Sequence, residues 1–275
     1  MLTLMNRNTD PFPSVLLTVA GFDPSSGAGI TADMKVFAAY RFYGISAITA
    51  LTVQSTQGVR RTEPVAPELL AETLDCVADD LEIAGVKIGM LATAAHVHAV
   101  ARFLAGSGIA RERVVLDPVL RSSSGRELLN EDGVTALGEL LLPLTGWVTP
   151  NIEELAVLAG VSVSDRDSVA WTAALLRMRY EGLNIVVTGG HLDPPDDLLL
   201  TAHEEHWFPG ERVETAATHG TGCAFSSALL SELALGRSSV EAVAGAKNYV
   251  REAMLAAPQL GKGRGPLHHL YRLSR

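Results

Sequence analysis

Short apolar runs alternate with amphipathic stretches along almost the whole chain, and that alternation limits the fold more than any other feature of the sequence. SVLLTVA (14–20) is a continuous apolar run, as expected of a strand buried on both faces. ITADMKVFAAYRF follows, with Ile30, Met34, Phe37 and Ala38 on one helical face. AITALTV (47–53) then reads as a strand, PELLAETLDCVADDL (67–81) as a helix, GVKIGML as a strand, 93–105 as a helix and VVLDPV as a strand. WVT (147–149) and NIVVTGG (184–190) are further strands separated by helical segments. Such alternation implies an α/β fold with a central, mostly parallel sheet covered by helices on both faces. The segment 196–213 breaks the pattern: two apolar patches and then Pro209-Gly210 suggest a hairpin near the sheet edge, before the chain turns helical again. No Pro- or Ser-rich linker divides the chain, so one domain is expected over 14–275, with 1–13 as a loose tail.

A chain of 275 residues, 47% hydrophobic and 19% charged, can bury a large core and is not disordered. Its net charge of −9 argues against a nucleic-acid partner, which needs clustered Lys and Arg. Small phosphorylated ligands stay open, because backbone amides and a few cations suffice for them. Cys76 and Cys223 are the only cysteines, which points to a reduced, cytoplasmic setting without disulfides. The N-terminus lacks the apolar region of a signal peptide and no run is long enough for a membrane span, so a soluble protein with no membrane partner is expected.

Three segments have the composition of a site. AGFDPSSGAGITAD (20–33) lies at a strand-to-helix junction, where free helical N–H groups favour anions. Its Gly27-Ala28-Gly29-Ile30-Thr31-Ala32 fits a dinucleotide loop poorly. Six residues separate the strand from the first glycine, and LTVQST lacks the acidic residue that would bind a ribose. In THGTGCAFSSALLSELALG (218–236), Gly220 and Gly222 bracket a turn that opens a helix, an arrangement suited to an anion hole. Cys223 would lie at the positive end of that helix, where a thiolate is favoured. A buried, inert cysteine at a close-packed turn fits the same residues. Asp117 follows VVL, and Asn151 and Glu154 follow WVTP at i and i+3, on one face of a first helical turn. Ligands of open α/β sheets bind beyond the carboxyl ends of strands, so these positions suit magnesium-linked carboxylates, although a turn and an N-cap explain Asp117 and Asn151 equally well. The paired histidines 96 and 98, 203 and 206, 268 and 269 match no metal motif and read as surface or packing residues. No GxxxxGK[ST] loop occurs, so any ATP is held without a Walker-type loop.

The run VAGFDPSSGAGITADMKVFAAYRFYGISAITALTVQSTQGV resembles the start of the hydroxymethylpyrimidine/phosphomethylpyrimidine kinases of thiamine biosynthesis. VKIGML, VVLDPV, VTPNIEEL, VTGGHLDPPDDLL, THGTGC and GKGRGPLHHLYRL follow in that family's order, so the likeness runs from about Val15 to Leu270. The resemblance implies a three-layer α/β/α ribokinase-like fold, usually a homodimer. It implies an enzyme that uses ATP and Mg²⁺ to phosphorylate 4-amino-5-hydroxymethyl-2-methylpyrimidine and then its monophosphate. It assigns the pyrimidine pocket to Gln54, Asp33, Gly21, Ala28, Met90 and Val119, and Gln54 offers the ring edge both a donor and an acceptor. Gly220 and Gly222 would form the anion hole and Cys223 would take the hydroxyl proton. Asp117 and Glu154 would act through Mg²⁺, and Asn151, Glu154, Thr188 and Gly189 would meet the nucleotide. Free amides over 25–29 would leave room for the second, phosphorylated acceptor. Phe22, Thr52, Arg126 and Thr188 depart from the usual residues, Thr188 standing where lysine is common. A pyridoxal kinase of the same family and a non-catalytic pyrimidine sensor are the alternatives. Gln54 favours an aminopyrimidine over a pyridinol, and a sensor has no use for Asp117, Asn151, Glu154 and Cys223 together.

Overall fold

The computed structural model describes residues 13–122, 125–190 and 192–273, so the tail expected over 1–13 lies outside the described residues except for Pro13. The strands are β1 (Val15–Phe22), β2 (Tyr43–Ser55), β3 (Gly58–Pro64), β4 (Ile83–Ile88), β5 (Val114–Leu116), β6 (Trp147–Val148), β7 (Asn184–Val187), β8 (Asp197–Leu200) and β9 (Glu205–Phe208). The helices are α1 (Gly29–Ala39), α2 (Pro67–Asp80), α3 (Ala94–Ser107), α4 (Glu131–Ala136), α5 (Ile152–Ala159), α6 (Arg166–Arg179), α7 (Thr221–Ala234) and α8 (Ser239–Leu255). All nine strands form one sheet in the order β3-β2-β1-β4-β5-β6-β7-β8-β9. The run from β2 to β7 is parallel, and antiparallel hairpins close both edges.

The parallel strands are apolar throughout because both of their faces are covered. Successive side chains point to opposite sides. Thus Leu17, Val86, Leu116 and Ile185 pack with Leu70, Leu74, Val97, Val100, Leu155 and Leu176 of the helices on one side. Leu16, Val115 and Val186 pack with Phe37, Leu229, Ala246 and Tyr249 of α1, α7 and α8 on the other. Burying each such large side chain stabilises the fold by roughly 1.5–3 kcal/mol. This is the three-layer α/β/α arrangement the sequence implied. Among the described residues no helix is long and apolar enough to cross a membrane.

The expected hairpin at 196–213 is β8–β9 at one edge. The hairpin at the other edge was not anticipated: β2 extends to Ser55 and folds back as β3, GVRRTEP, whose polar residues carry no alternating apolar signal. Its effect on the site is direct, because Gln54 lies near the tip, paired with Val59.

Chain order reverses beside β1, with β2 on one side and β4 on the other. A crevice opens at the carboxyl ends of strands at such a switch point. Gly21 is the second-last residue of β1, and Met90 and Asp117 follow the ends of β4 and β5.

Candidate active site

The glycine loop between β1 and α1 is built around one carboxylate. Asp23 Oδ1 accepts from the N–H and hydroxyl of Ser25 at 2.8 and 2.7 Å. Its Oδ2 accepts from the N–H groups of Gly27 and Ala28 at 3.1 and 3.0 Å and lies 2.8 Å from His219 Nε2. Burial alone would raise the Asp23 carboxyl, but the His219 and Ser25 donors outweigh it and hold the group below the usual carboxylate range. The expectation of free amides over 25–29 is therefore corrected: those of Ser25, Gly27 and Ala28 are engaged by the protein's own anion.

Against this loop lies the start of α7. Gly220 has φ +85°, and a Cβ there would come within 1.8 Å of the Gly27 carbonyl oxygen, so only glycine fits. Gly29 is under the same constraint, with φ +59° and Gly21 O within 2.2 Å of a Cβ. No side chain caps α7, so its first-turn amides are left without a capping partner, and a Cβ at Gly222 would lie 3.8 Å from Asp117 Oδ2. His219 is braced from behind, its N–H donating to Gly265 O of the C-terminal segment at 3.0 Å. Its Nε2 also lies 3.0 Å from the Gln54 carboxamide, which is in turn 3.2 Å from Thr52 Oγ1. Gln54, assigned to the pyrimidine, is thus joined to the α7 turn through a histidine.

Beneath the turn is a buried charge cluster. Lys87 has no exposed surface, and its Nζ lies 3.0 and 3.1 Å from the Asp33 oxygens and 3.9 Å from Asp117 Oδ2. Asp33 also accepts from Thr18 Oγ1 at 2.6 Å and Ser227 Oγ at 2.8 Å. Asp33 is wholly buried and fully engaged, so it reaches the crevice only through Lys87 and Ser227. Burial would lower the Lys87 ammonium, but Asp33, Cys223 and Asp117 hold it above the usual lysine range.

The opposite holds for Cys223, Asp117 and Glu154. Burial pushes the Cys223 thiol up to about 12; Lys87 opposes this, while Asp117 and Asp33 add to it. The expectation that the helix end makes Cys223 a thiolate is therefore corrected, because burial and two carboxylates exceed the pull of the helix dipole and Lys87. Asp117 is raised by burial, and by Asp33, against the pull of Lys87. Glu154 is pushed to about 8 by burial and by the charge of Asp117.

Asn151 and Glu154 do share the first turn of α5, as a reciprocal capping box: Asn151 Oδ1 accepts from Glu154 N–H and Glu154 Oε2 from Asn151 N–H, each at 2.9 Å. Thr188 pairs with Asn151 in a parallel bridge, its N–H donating to Pro150 O at 3.0 Å. The Gly189 amide is spent on Asp197 Oδ1 at 2.7 Å, and a Cβ there would strike the Asp196 carbonyl, so Gly189 offers no free N–H. Gly21 and Met90 adjoin, with Met90 Sδ 3.0 Å from where a Gly21 Cβ would sit, and Val119 is tied by its N–H to Asp117 O at 2.8 Å. Of the paired histidines, His96 and His269 are buried with hydrogen bonds to Val65 O and Gly27 O, and His203 and His206 are exposed.

Asp23, Lys87 and His219 were not anticipated as site residues. Two of them carried signals. A lysine inside the apolar strand GVKIGML has to meet a buried acid, and an Asp two residues ahead of a serine in a Gly-rich turn folds onto its own amides.

The phosphomethylpyrimidine kinase family model matches residues 23–268. The hydroxymethylpyrimidine/phosphomethylpyrimidine kinase of Rhizobium meliloti strain 1021 is 41% identical over 263 residues, covering 94% of this chain and 98% of that one. The crystal structure of phosphomethylpyrimidine kinase from Clostridium difficile 630 superposes with a TM-score of 0.78 at 33% identity, over 87% of this chain and 99% of the other. The pyridoxal kinase of Staphylococcus aureus in complex with AMP-PCP and pyridoxal gives 0.84 at 26% identity, over 94% of each chain.

Proposed function

The chain belongs to the phosphomethylpyrimidine kinase family of the ribokinase-like fold, and from that premise we propose how its residues divide the work. The enzyme transfers a phosphoryl group from ATP to the hydroxymethyl oxygen of 4-amino-5-hydroxymethyl-2-methylpyrimidine, and then to the monophosphate. The observation that carries the division is the meeting of three things at one point: the uncapped start of α7, the Cys223 thiol and the Lys87–Asp117 pair.

Gln54 takes the aminopyrimidine edge, with Gly21, Ala28, Met90 and Val119 around the ring. Amides at the Gly220–Gly222 turn stabilise charge on the transferred phosphoryl. As the hydroxymethyl oxygen bonds to the γ-phosphorus, the bond to ADP breaks and the hydroxyl proton passes to Cys223 Sγ. Burial raises that thiol to about 12, so it is protonated at rest and first releases its own proton to solvent to form the thiolate. Lys87 supports that thiolate from beneath. The Asn151–Thr188 corner and the Gly189 turn border the nucleotide.

Asp117 and Glu154 fit Mg²⁺, because burial raises both carboxyls, with Asp33 adding to it at Asp117 and Asp117 at Glu154, and a divalent cation would relieve that strain. Among the described residues no group of three or more acidic, His or Cys side chains could hold an ion, so waters and phosphates complete any coordination. Bound there, Mg²⁺ supplies charge neutralisation for the triphosphate. A homodimer is supported by β2, which exposes Tyr43, Leu51 and Val53 by 57, 49 and 49%. A cytoplasmic setting is supported by the two free cysteines.

The test is Mg²⁺-dependent ATP consumption with the pyrimidine, its monophosphate and pyridoxal offered in parallel and the products resolved. Turnover of both pyrimidines is expected. Turnover of pyridoxal alone would overturn the substrate assignment, and pyrimidine binding without turnover would make the chain a sensor.

A further inference from the structure

The orientation of the Gln54 carboxamide follows from counting protons outward from Asp23. The Asp23 carboxylate is ionised and has His219 Nε2 2.8 Å from Oδ2, so that ring nitrogen carries a hydrogen; a lone pair facing the carboxylate would be repelled. The structure places Gln54 Nε2 3.0 Å from the same nitrogen and Oε1 toward Thr52. At the other end, Thr52 Oγ1 spends its only proton on the Phe22 carbonyl at 2.9 Å and has lone pairs left for the amide, 3.2 Å away. Left that way, with its nitrogen toward His219, the amide sets donor against donor on one side and acceptor against acceptor on the other. Turned over, its Oε1 shares the Nε2–H that His219 also gives to Asp23. The two ends are alike in size, so the proton count decides. We infer that His219 and Thr52 together hold Gln54 with Oε1 toward His219 and Nε2 toward Thr52, and that Thr52 is a specificity-determining positioning residue.

A planar amide held by its two flanks keeps one acceptor and one donor side by side on its outer edge. That edge complements an amino group next to a ring nitrogen: the amino N–H donates to Oε1 and the ring nitrogen accepts from Nε2–H. A 4-oxo ring presents the reverse, a carbonyl acceptor beside a ring N–H. A free amide would turn over to suit it. This one cannot without leaving both His219 and Thr52 mismatched, so the lock, and not Gln54 alone, rejects the oxo ring. The inference rests on the reading of this crevice as the pyrimidine site.

The experiment compares kcat and KM for the 4-amino substrate and its 4-oxo analogue in the wild-type enzyme, Thr52→Val and Thr52→Ser. Val has nearly the shape of Thr but lacks the hydroxyl, and thermal melting of each variant checks that it is folded. Thr52→Val is expected to reduce the preference for the amino ring about fivefold to tenfold. The change should lie in KM with kcat little altered, and Thr52→Ser should restore the preference. Equal losses on both rings, or an unchanged preference, would overturn the inference. Independently, nitrogen NMR of the ligand-free protein should show a directly bonded proton on His219 Nε2, and a bare nitrogen there would overturn the lock whatever the kinetics. If the wild type fails to phosphorylate the amino ring while His219 carries that proton, the substrate reading falls and the lock stands as a feature of the fold.

Discussion

Asp23 and the Asp117–Glu154 pair occupy the same end of the sheet, yet their carboxyls are in opposite states. Asp23 is surrounded by donors and stays ionised below its ordinary range. Asp117 and Glu154 are buried near each other, and both are pushed toward the protonated form. Asp117 has one hydroxyl donor, from Ser226 at 3.2 Å, and Lys87 at 3.9 Å, but that lysine is committed more closely to Asp33. A carboxylate that the protein itself satisfies shapes a loop. Carboxylates that it leaves strained are held ready for a cationic or proton-carrying ligand. The difference separates scaffold from machinery within one crevice.

The largest effects should fall on the strained side and on turnover. Asp117→Asn and Cys223→Ala are each expected to lower kcat by about 10²–10⁴. Their melting temperatures should stay level or rise, since each removes a group that burial already disfavours. A mutant that kept its rate, or lost its fold, would break the division. Next comes Asp23→Asn. An amide there cannot accept from all five donors, so the loop should lose about 2–3 kcal/mol of stability. The pyrimidine KM should rise with it, because His219 and Gln54 lose their anchor. Urea unfolding checks the first and steady-state kinetics the second.

The two centres should also titrate with opposite signs. The folded pKa of Asp23 lies below the ordinary 3.8, so its stabilisation is complete above 3.8 and is lost as pH falls through the folded value. Glu154 runs from an ordinary 4.5 up to about 8, so the folded protein keeps a proton that the unfolded chain has released, and stability declines as pH rises between those values. A fall of about 2–6 °C in melting temperature across that window is expected. Glu154→Gln should flatten it, as should saturating Mg²⁺ with ATP, while Asp23→Asn should leave it in place. A window untouched by Glu154→Gln would assign it to another group.

How far each centre could be read from the sequence follows from the same contrast. The layers were legible because strands such as SVLLTVA are apolar on both faces and the helices on one. The β2–β3 hairpin was not, because its strands are half exposed and GVRRTEP reads as polar loop. Asp117 and Glu154 were visible as acids placed after strands. Asp23, Lys87 and His219 were hidden because their meaning lies in partners distant along the chain: His219 joins Asp23 across 196 residues and Gln54 across 165. Cys223 does lie in the first turn of α7, but its thiol is raised rather than lowered, since a helix terminus can be read from sequence and two buried carboxylates beside it cannot.

Thr188 offers the finest test of the comparison. It sits beside Asn151, one residue past the end of β7 and next to the turn of α5 that carries Glu154, at a position where the family resemblance leads to the expectation of a lysine. If the strain on Asp117 and Glu154 reflects excess negative charge, an ammonium introduced nearby should relieve it without touching the Asp23 loop. Thr188→Lys is therefore expected to lower the ATP KM by roughly threefold, the effect of one partly screened charge. The gain should be largest at low Mg²⁺ and should shrink as salt rises, with the pyrimidine KM unchanged. It should also shift the decline in stability attributed to Glu154 to higher pH or shrink it, because a nearby cation favours the ionised carboxylate. An ATP KM that rises, or a pyrimidine KM that moves as much, would mean that the two centres are not separable and that position 188 reports on packing at the strand end.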